Sequence, residues 1–329
     1  MEIRNIQKTG GSSYTITLPK DWIKGLNLSE KSQLEIFFQK KGQLIIRPHM
    51  QHPTPKASVI IDHMLNEQII REIIASYLSG VSEISVHTAE SFTYEQRVLV
   101  RELSYKLIGF ELFDENSNVL TIKNVSNNTI PVSEYANKMM KIIESMYQDM
   151  ETMLFSNNKR YAKDIVERDV EVDRIQLAIA REFNALLCDL LPQESSNFSL
   201  SERNYFQHVA IRLERIADHI VRIAYTILQL KEKDQVTLTK PEKDRITRIH
   251  KHLIECDYII NNLDKRRAHQ LLEVYDLVSK NEFINKKILN TSSLNILIED
   301  SIERIRSYIK NIAEETIDYS AIKQIQPFI

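Results

Sequence analysis

Glycine is scarce in this chain, with six in 329 residues, and Gly10, Gly11, Gly25, Gly42, Gly80 and Gly109 are scattered. A loop that cradles nucleotide phosphates needs its glycines clustered in one turn, so nucleotide-dependent chemistry is not expected. Cysteine is rarer still. Cys188 and Cys256 lie far apart in helix-like sequence, which excludes a disulfide framework and fits a reducing compartment. Long apolar runs are missing: no stretch approaches the ~18 uninterrupted apolar residues of a bilayer span, so membrane insertion is not expected. The opening MEIRNIQKTG lacks the apolar core of an export signal, and a cytoplasmic protein is expected. What remains is ordinary globular composition, 43% hydrophobic and 27% charged, on a chain long enough for two or three domains.

The net charge of -2 conceals an asymmetry. Residues 1–50 hold eight Lys and Arg against four acids, a local balance of +4, and the remainder carries 35 bases and 41 acids. A small basic head on a larger acidic body is the layout of a polyanion-binding module.

Along the chain the period changes twice. In residues 1–50, Ile3 and Ile6 open a short strand and Gly10-Gly11-Ser12-Ser13 makes a turn. Tyr14 to Leu18 is a β-branched, period-two run. Pro19 stands at a helix start, with Asp21 in its first turn and Trp22, Ile23 and Leu26 as its apolar side. Leu34 to Phe38 and Leu44 to Ile46 are further strands, joined by the turn Lys40-Lys41-Gly42-Gln43. A module this small buries little surface alone, so a homodimer or higher oligomer is expected. Residues 51–56 (QHPTPK) read as a linker.

A small α+β domain follows over 57–127. Strands at 59–61, 83–87, 110–113 and 119–125 and helices at 66–78 and 94–108, ended by Gly80 and Gly109, give a βαβαββ segment with helices on one face. No chemistry is visible in it. From about 133 to 329 the period is helical, with helices near 133–156, 159–191, 199–230, 241–265, 267–288 and 292–317, punctuated by Pro192 and Pro241. Six helices with short connections predict an antiparallel bundle or two three-helix bundles in series. The fold class expected is multidomain, α+β then all-α.

The clearest anomaly lies in IVERDVEVDRIQLAIAREF. At 100° per residue, Ala162, Ile165, Val172, Ile179, Phe183, Leu187 and Leu190 form an apolar stripe with Asp169 and Asp173 inside it, one turn apart. Glu167, Glu171 and Arg174 fall on the opposite side. Two carboxylates at this spacing repel, and burying them uncompensated costs several kcal/mol each, so a cation or a buried Arg or Lys is required. The next helix repeats the pattern with Glu214 and Asp218, flanking Leu213, Ala217, Ile220 and Ala224. If the two helices are neighbours, four carboxylates converge. The alternative is an ion-pair network with Arg212, Arg215 or Arg222, or an exposed charged flank. His219 points away from the carboxylates and reads as a surface residue.

The run ERDVEVD followed by RLERIADHIVRIA resembles the PhoU family of phosphate-uptake regulators, built from two three-helix repeats. Their E/D-x-x-x-D motif binds iron or zinc clusters, and the resemblance assigns it to Asp169 with Asp173 and Glu214 with Asp218 as a metal site. The repeats here run about 133–232 and 241–318. The second carries the same frame in SIERIRSYIKNIAEE, but Ser307 replaces the Asp beside Glu303, and Asn281 and Asn285 stand at the earlier pair, so it is expected to bind metal weakly or not at all.

The N-terminal IQKTGGSSYTITLPKDWIKGLNL with the closing LIIRP resembles the AbrB/SpoVT/MazE swapped-hairpin family, in which two chains interlock into one DNA-binding dimer. The resemblance makes Arg4, Lys8, Lys20 and Lys24 the DNA contacts, acting on backbone phosphates. The expected protein is a DNA-binding transcriptional regulator of phosphate uptake, archaeal-type in architecture. The alternative is an adaptor that inhibits or signals from the ATPase of a phosphate ABC transporter, or through a signalling kinase, without DNA. An enzyme is not expected: carboxylate-bridged oxidases use Glu-x-x-His pairs, and none of the nine histidines has an acid three residues before it.

Overall fold

A computed structural model describes residues 2–39, 43–49, 55–126, 130–188, 200–231, 235–285 and 293–325. The turn expected at residues 40–43 and most of the 51–56 linker therefore lie outside the described residues, as do Leu190 and Pro192 and the side chains of Asn281 and Asn285. The chain divides into two compact units at Pro53/Thr54.

In the first unit, β1 (Gln7–Thr9) and β2 (Ser13–Thr15) form an antiparallel pair with Lys8 opposite Tyr14. Gly10 takes the turn between them at φ +69°, where a side chain would be strained. The strand expected at Ile3 and Ile6 begins instead at Gln7, and the run from Tyr14 stops pairing at Thr15. The strand lengths are set by the few residues that find a hydrogen-bonding partner, whatever the apolar pattern. Pro19 precedes α1 (Lys20–Gly25), and Asp21 sits in its first turn, where the helix N-terminus favours negative charge. A second antiparallel pair joins β3 (Leu34–Gln39) to β4 (Gln43–Pro48), with Ile36 opposite Ile46. Among the described residues of this unit no side chain is buried. Ile3, Ile6, Tyr14, Ile36 and Phe38 are all exposed, Phe38 by 87%. The unit has apolar surface but no core of its own.

The second unit opens with β5 (Lys56–Ile60), α2 (Asn66–Leu78), β6 (Glu83–His87), α3 (Tyr94–Lys106), β7 (Phe110–Glu115) and β8 (Val119–Asn124). The sheet order is β5-β6-β8-β7, with β5 parallel to β6 and the other pairs antiparallel. Strand alternation separates the faces. Ile84, Val86, Leu120 and Ile122 are wholly buried under α2 and α3, while Ser85, Thr121 and Lys123 face outward. Thr93 caps α3, accepting from the Gln96 amide at 3.2 Å while the Gln96 side chain accepts from the Thr93 amide at 3.0 Å. This helix ends at Lys106, two residues short of expectation, because Leu107 turns to extended backbone to bury its side chain.

Six helices follow: α4 (Val132–Ser156), α5 (Arg160–Leu187), α6 (Leu200–Gln229), α7 (Lys240–Asn262), α8 (Lys265–Asn285) and α9 (Ser293–Ile325). Helices α4 to α6 pack together, α7 to α9 do likewise, and contacts of α6 with α9 and of α4 with α7 join the two groups into one core. The last helix runs past the expected 317 because its apolar face continues: buried Tyr319 stacks on Tyr205 with ring centroids 4.5 Å apart. The architecture is multidomain, α+β followed by all-α. No helix among the described residues is long and apolar enough to cross a membrane.

Candidate functional site

The buried face of α5 carries Ala162, Ile165, Val172, Ile175, Ala178 and Ile179. Asp169 lies within it, one turn after Ile165 and just before Val172. It is half-buried, and its Oδ1 is shielded from water without a hydrogen-bond partner. Asp173, expected on the same stripe, lies on its exposed flank, and Leu187 is 54% exposed. The stripe drifts: α5 turns its later part toward the α/β segment, so a fixed 100° plot misplaces residues at its edges. Glu171 and Arg174, expected on the solvated side, are half-buried and bonded to each other at 2.6 Å.

Helix α6 packs against α5 and brings Glu214 and Asp218 to the same region. The crowding of these carboxylates is visible in the proton affinities of Asp169, Asp173 and Glu214. Burial, then the charges of Asp173 and Asp218, push Asp169 up from 3.8 to about 6. Burial and Asp218 raise Asp173, which the Lys106 ammonium draws the other way. Burial, then Asp218, push Glu214 up from 4.5 to about 7. Each of these groups is held where its ionised form is disfavoured. Of the arginines proposed as partners, Arg215 reaches Glu214 at 3.4 Å and Asp218 at 3.1 Å from a half-exposed position. Arg212 and Arg222 turn to α9, meeting Glu315 and Asp300.

Among the described residues, no group of three His, Cys, Asp or Glu side chains stands together as a metal-ligand set. The carboxylates thus supply charge and an orphaned oxygen, the chemistry a cation would satisfy, without a preformed coordination shell. Their all-oxygen donor set suits a hard cation better than a soft one.

His219 is not a plain surface residue. It is half-buried, with its ring centroid 5.9 Å from that of Tyr308, its Nδ1 lacks a partner, and burial and then Arg222 lower its proton affinity. Sequence reasoning also missed a buried charged group. Arg181, 7% exposed, donates to the carbonyls of Val81 at 2.7 Å and Gly80 at 3.3 Å and lies over the rings of Tyr77 and Phe110. Glu182 accepts from Arg203, 2% exposed, at 3.0 Å. Arg181 ties the α/β segment to α5. The signal was available, since it stands between the small residues Ala178 and Ala185 on the buried face.

In the first unit, Lys8 on β1 and Lys20 and Lys24 on α1 are exposed, the last two one helical turn apart. Arg4 is engaged at 2.6 Å with Glu2 and reaches Thr17 at 3.5 Å.

Residues 136–227 match the family model of the PhoU domain, and residues 7–54 match that of MazE, the bacterial antitoxin for antidote-toxin recognition. Comparison with curated proteins gives no match. Among solved structures, the chain is similar to the phosphate transport system regulatory protein PhoU of Streptococcus pneumoniae, at 20% identity over 57% of this chain and 93% of that one, with a TM-score of 0.45. PhoU from Pseudomonas aeruginosa is 19% identical over 58% of this chain and 95% of that one, with a TM-score of 0.46. The chain thus carries a PhoU domain behind a MazE-type N-terminal domain.

Proposed function

We propose that this protein is a cytoplasmic, DNA-binding transcriptional regulator of phosphate uptake. The PhoU domain supports a regulatory role in phosphate uptake. The N-terminal domain supplies the DNA contact, with Arg4, Lys8, Lys20 and Lys24 neutralising backbone phosphates. The observation that carries the reading is the state of the first unit: basic, and rich in apolar side chains that a single copy leaves exposed. Two copies interlocked through those side chains form a homodimer with two sets of basic residues on one duplex. In the PhoU domain, Asp169, Asp173, Glu214 and Asp218 hold a metal ion or cluster, iron or zinc by family resemblance, whose charge relieves their repulsion.

Gel-shift titrations against promoter fragments of phosphate-transport genes, at salt from about 50 to 200 mM, test the DNA role. Binding is expected to weaken steeply with salt, and replacing the four basic residues by alanine is expected to flatten that dependence by ~0.9 in log-log slope per lost phosphate contact. No shift even at the lowest salt removes the DNA role. The second reading then stands, in which the N-terminal unit only dimerises and the PhoU domain acts as an adaptor on the phosphate ABC transporter ATPase or a signalling kinase. The pairing of Arg4 with Glu2 within the chain favours that alternative.

A further inference from the structure

Helices α2, α3 and α5 line a partly open cavity of about 200 Å³. Its walls are apolar: Ile70 and Ile74 from α2, Leu103 from α3 and Leu107 just after it, Val170 and Leu177 from α5. Its remaining lining includes two acids and two bases, Glu102 and Lys106 on α3 and Asp173 and Arg174 on α5. Glu102, Lys106 and Asp173 are exposed, so the charges stand at the solvent side of an apolar chamber. Arg174 bonds Glu171 through one terminal nitrogen, and its Nε is shielded from water without a hydrogen-bond partner. Both signs are therefore on offer at this rim, and a simple anion or cation would leave one pair of these charges facing its own sign. A zwitterion with an apolar tail answers all four. Size agrees, since an apolar cavity of about 150 Å³ accepts benzene, leaving room here for an isobutyl or benzyl group.

We propose that this cavity binds a free amino acid with a large apolar side chain, its α-carboxylate held by Lys106 and Arg174 and its α-ammonium by Asp173 and Glu102. The side chain lies among the leucines and isoleucines of α2, α3 and α5. The bound molecule bridges the α/β segment and the PhoU domain, the usual setting of a small-molecule site. The site does not depend on a cation among the neighbouring carboxylates, although Asp173 serves both.

Calorimetric titration of the full chain in EDTA, with L-leucine and L-phenylalanine, tests the site. One of them is expected to bind saturably at one site per chain. 4-Methylpentanoate and 3-methylbutylamine, each lacking one of the charges of leucine, are expected to bind at least about tenfold more weakly. Val170→Trp fills the chamber from a half-exposed position and should abolish binding. Lys106→Gln, on the surface, should weaken it about tenfold or more with the melting temperature little changed. Absence of heat with either amino acid at about 10 mM, which sets affinity below any useful range, overturns the proposal. Equal binding of the one-charge analogues does so too, as does wild-type binding by both variants.

Discussion

The two helical repeats meet the same problem, acids on an inward-turned helix face, with different solutions. Glu214 in α6 and Glu303 in α9 stand at matching places in the frames ERIAD and ERIRS. In the second repeat, Arg245 from α7 bonds Glu299 at 2.7 Å and also Glu303, which Arg306 meets at 2.9 Å. Arg245 and Arg306 are themselves largely buried, so their guanidinium groups are fixed in place. In the first repeat the residue matching Arg306 is Ala217, wholly buried where α6 packs on α4, α5 and α9. No long side chain fits there. The acids are left with Arg215 at the surface and an orphaned oxygen on Asp169. One repeat carries its counter-ions in its sequence; in the other, the metal site proposed above would supply one from solution.

The largest effect should come from supplying that ion. At pH 7.5, a divalent cation at about 100 times its dissociation constant should stabilise the wild type by about 2.7 kcal/mol. Urea unfolding should show this stabilisation vanish in an Asp169→Ala/Asp173→Ala variant and persist when Glu303 is replaced by Gln. Equal metal content in wild type and the aspartate variant, by elemental analysis of protein purified without chelator, would return these acids to ion pairing.

Neutralisation should act with opposite sign in the two repeats. Asp169 and Glu214 release protons near 6 and 7 in the folded chain, against 3.8 and 4.5 when unperturbed. The folded state therefore holds more protons between about pH 4 and 7, and without metal its stability falls as pH rises through that window. Asp169→Asn/Glu214→Gln should flatten this dependence and, after allowance for solvent screening, stabilise the metal-free chain at pH 8 by about 1–2 kcal/mol. A steeper fall in that variant would contradict the assignment.

The smallest effect is the mirror experiment. Glu303→Gln removes bonds to two arginines and should destabilise by about 1 kcal/mol, with Glu303 partly exposed. A stabilised variant would mean that desolvation of Glu303 and its repulsion from Glu299 cost more than its two arginines return.

Much of this was legible in the amino-acid pattern. The helix at Asn66–Leu78 and the strand at Glu83–His87 fall where periodicity, caps and Gly80 place them, because local signals and burial agree there. Asp169 was legible for the opposite reason, a charge that violates its stripe. The N-terminal strands were less so. Exposed Ile3 and Ile6 carry the strand pattern, but among the described residues the paired strand begins only at Gln7. Arg181 escaped notice because a single arginine on a helix face is ordinarily solvated, and only the packing of the α2 C-terminus over α5 turned its guanidinium inward.

By itself the sequence determined the order of elements, the lengths of most helices, the basic head and the candidate acids, because these follow from periodicity, turn residues and charge along one chain. Tertiary structure decided which acids gain a partner beyond their own helix. Glu303 has Arg306 at i+3, but Arg245 reaches Glu299 across the gap between α7 and α9, and no spacing within one helix encodes that distance. The cavity between α2, α3 and α5 is likewise a product of packing, assembled from segments up to about a hundred residues apart whose side chains share nothing until the chain has folded.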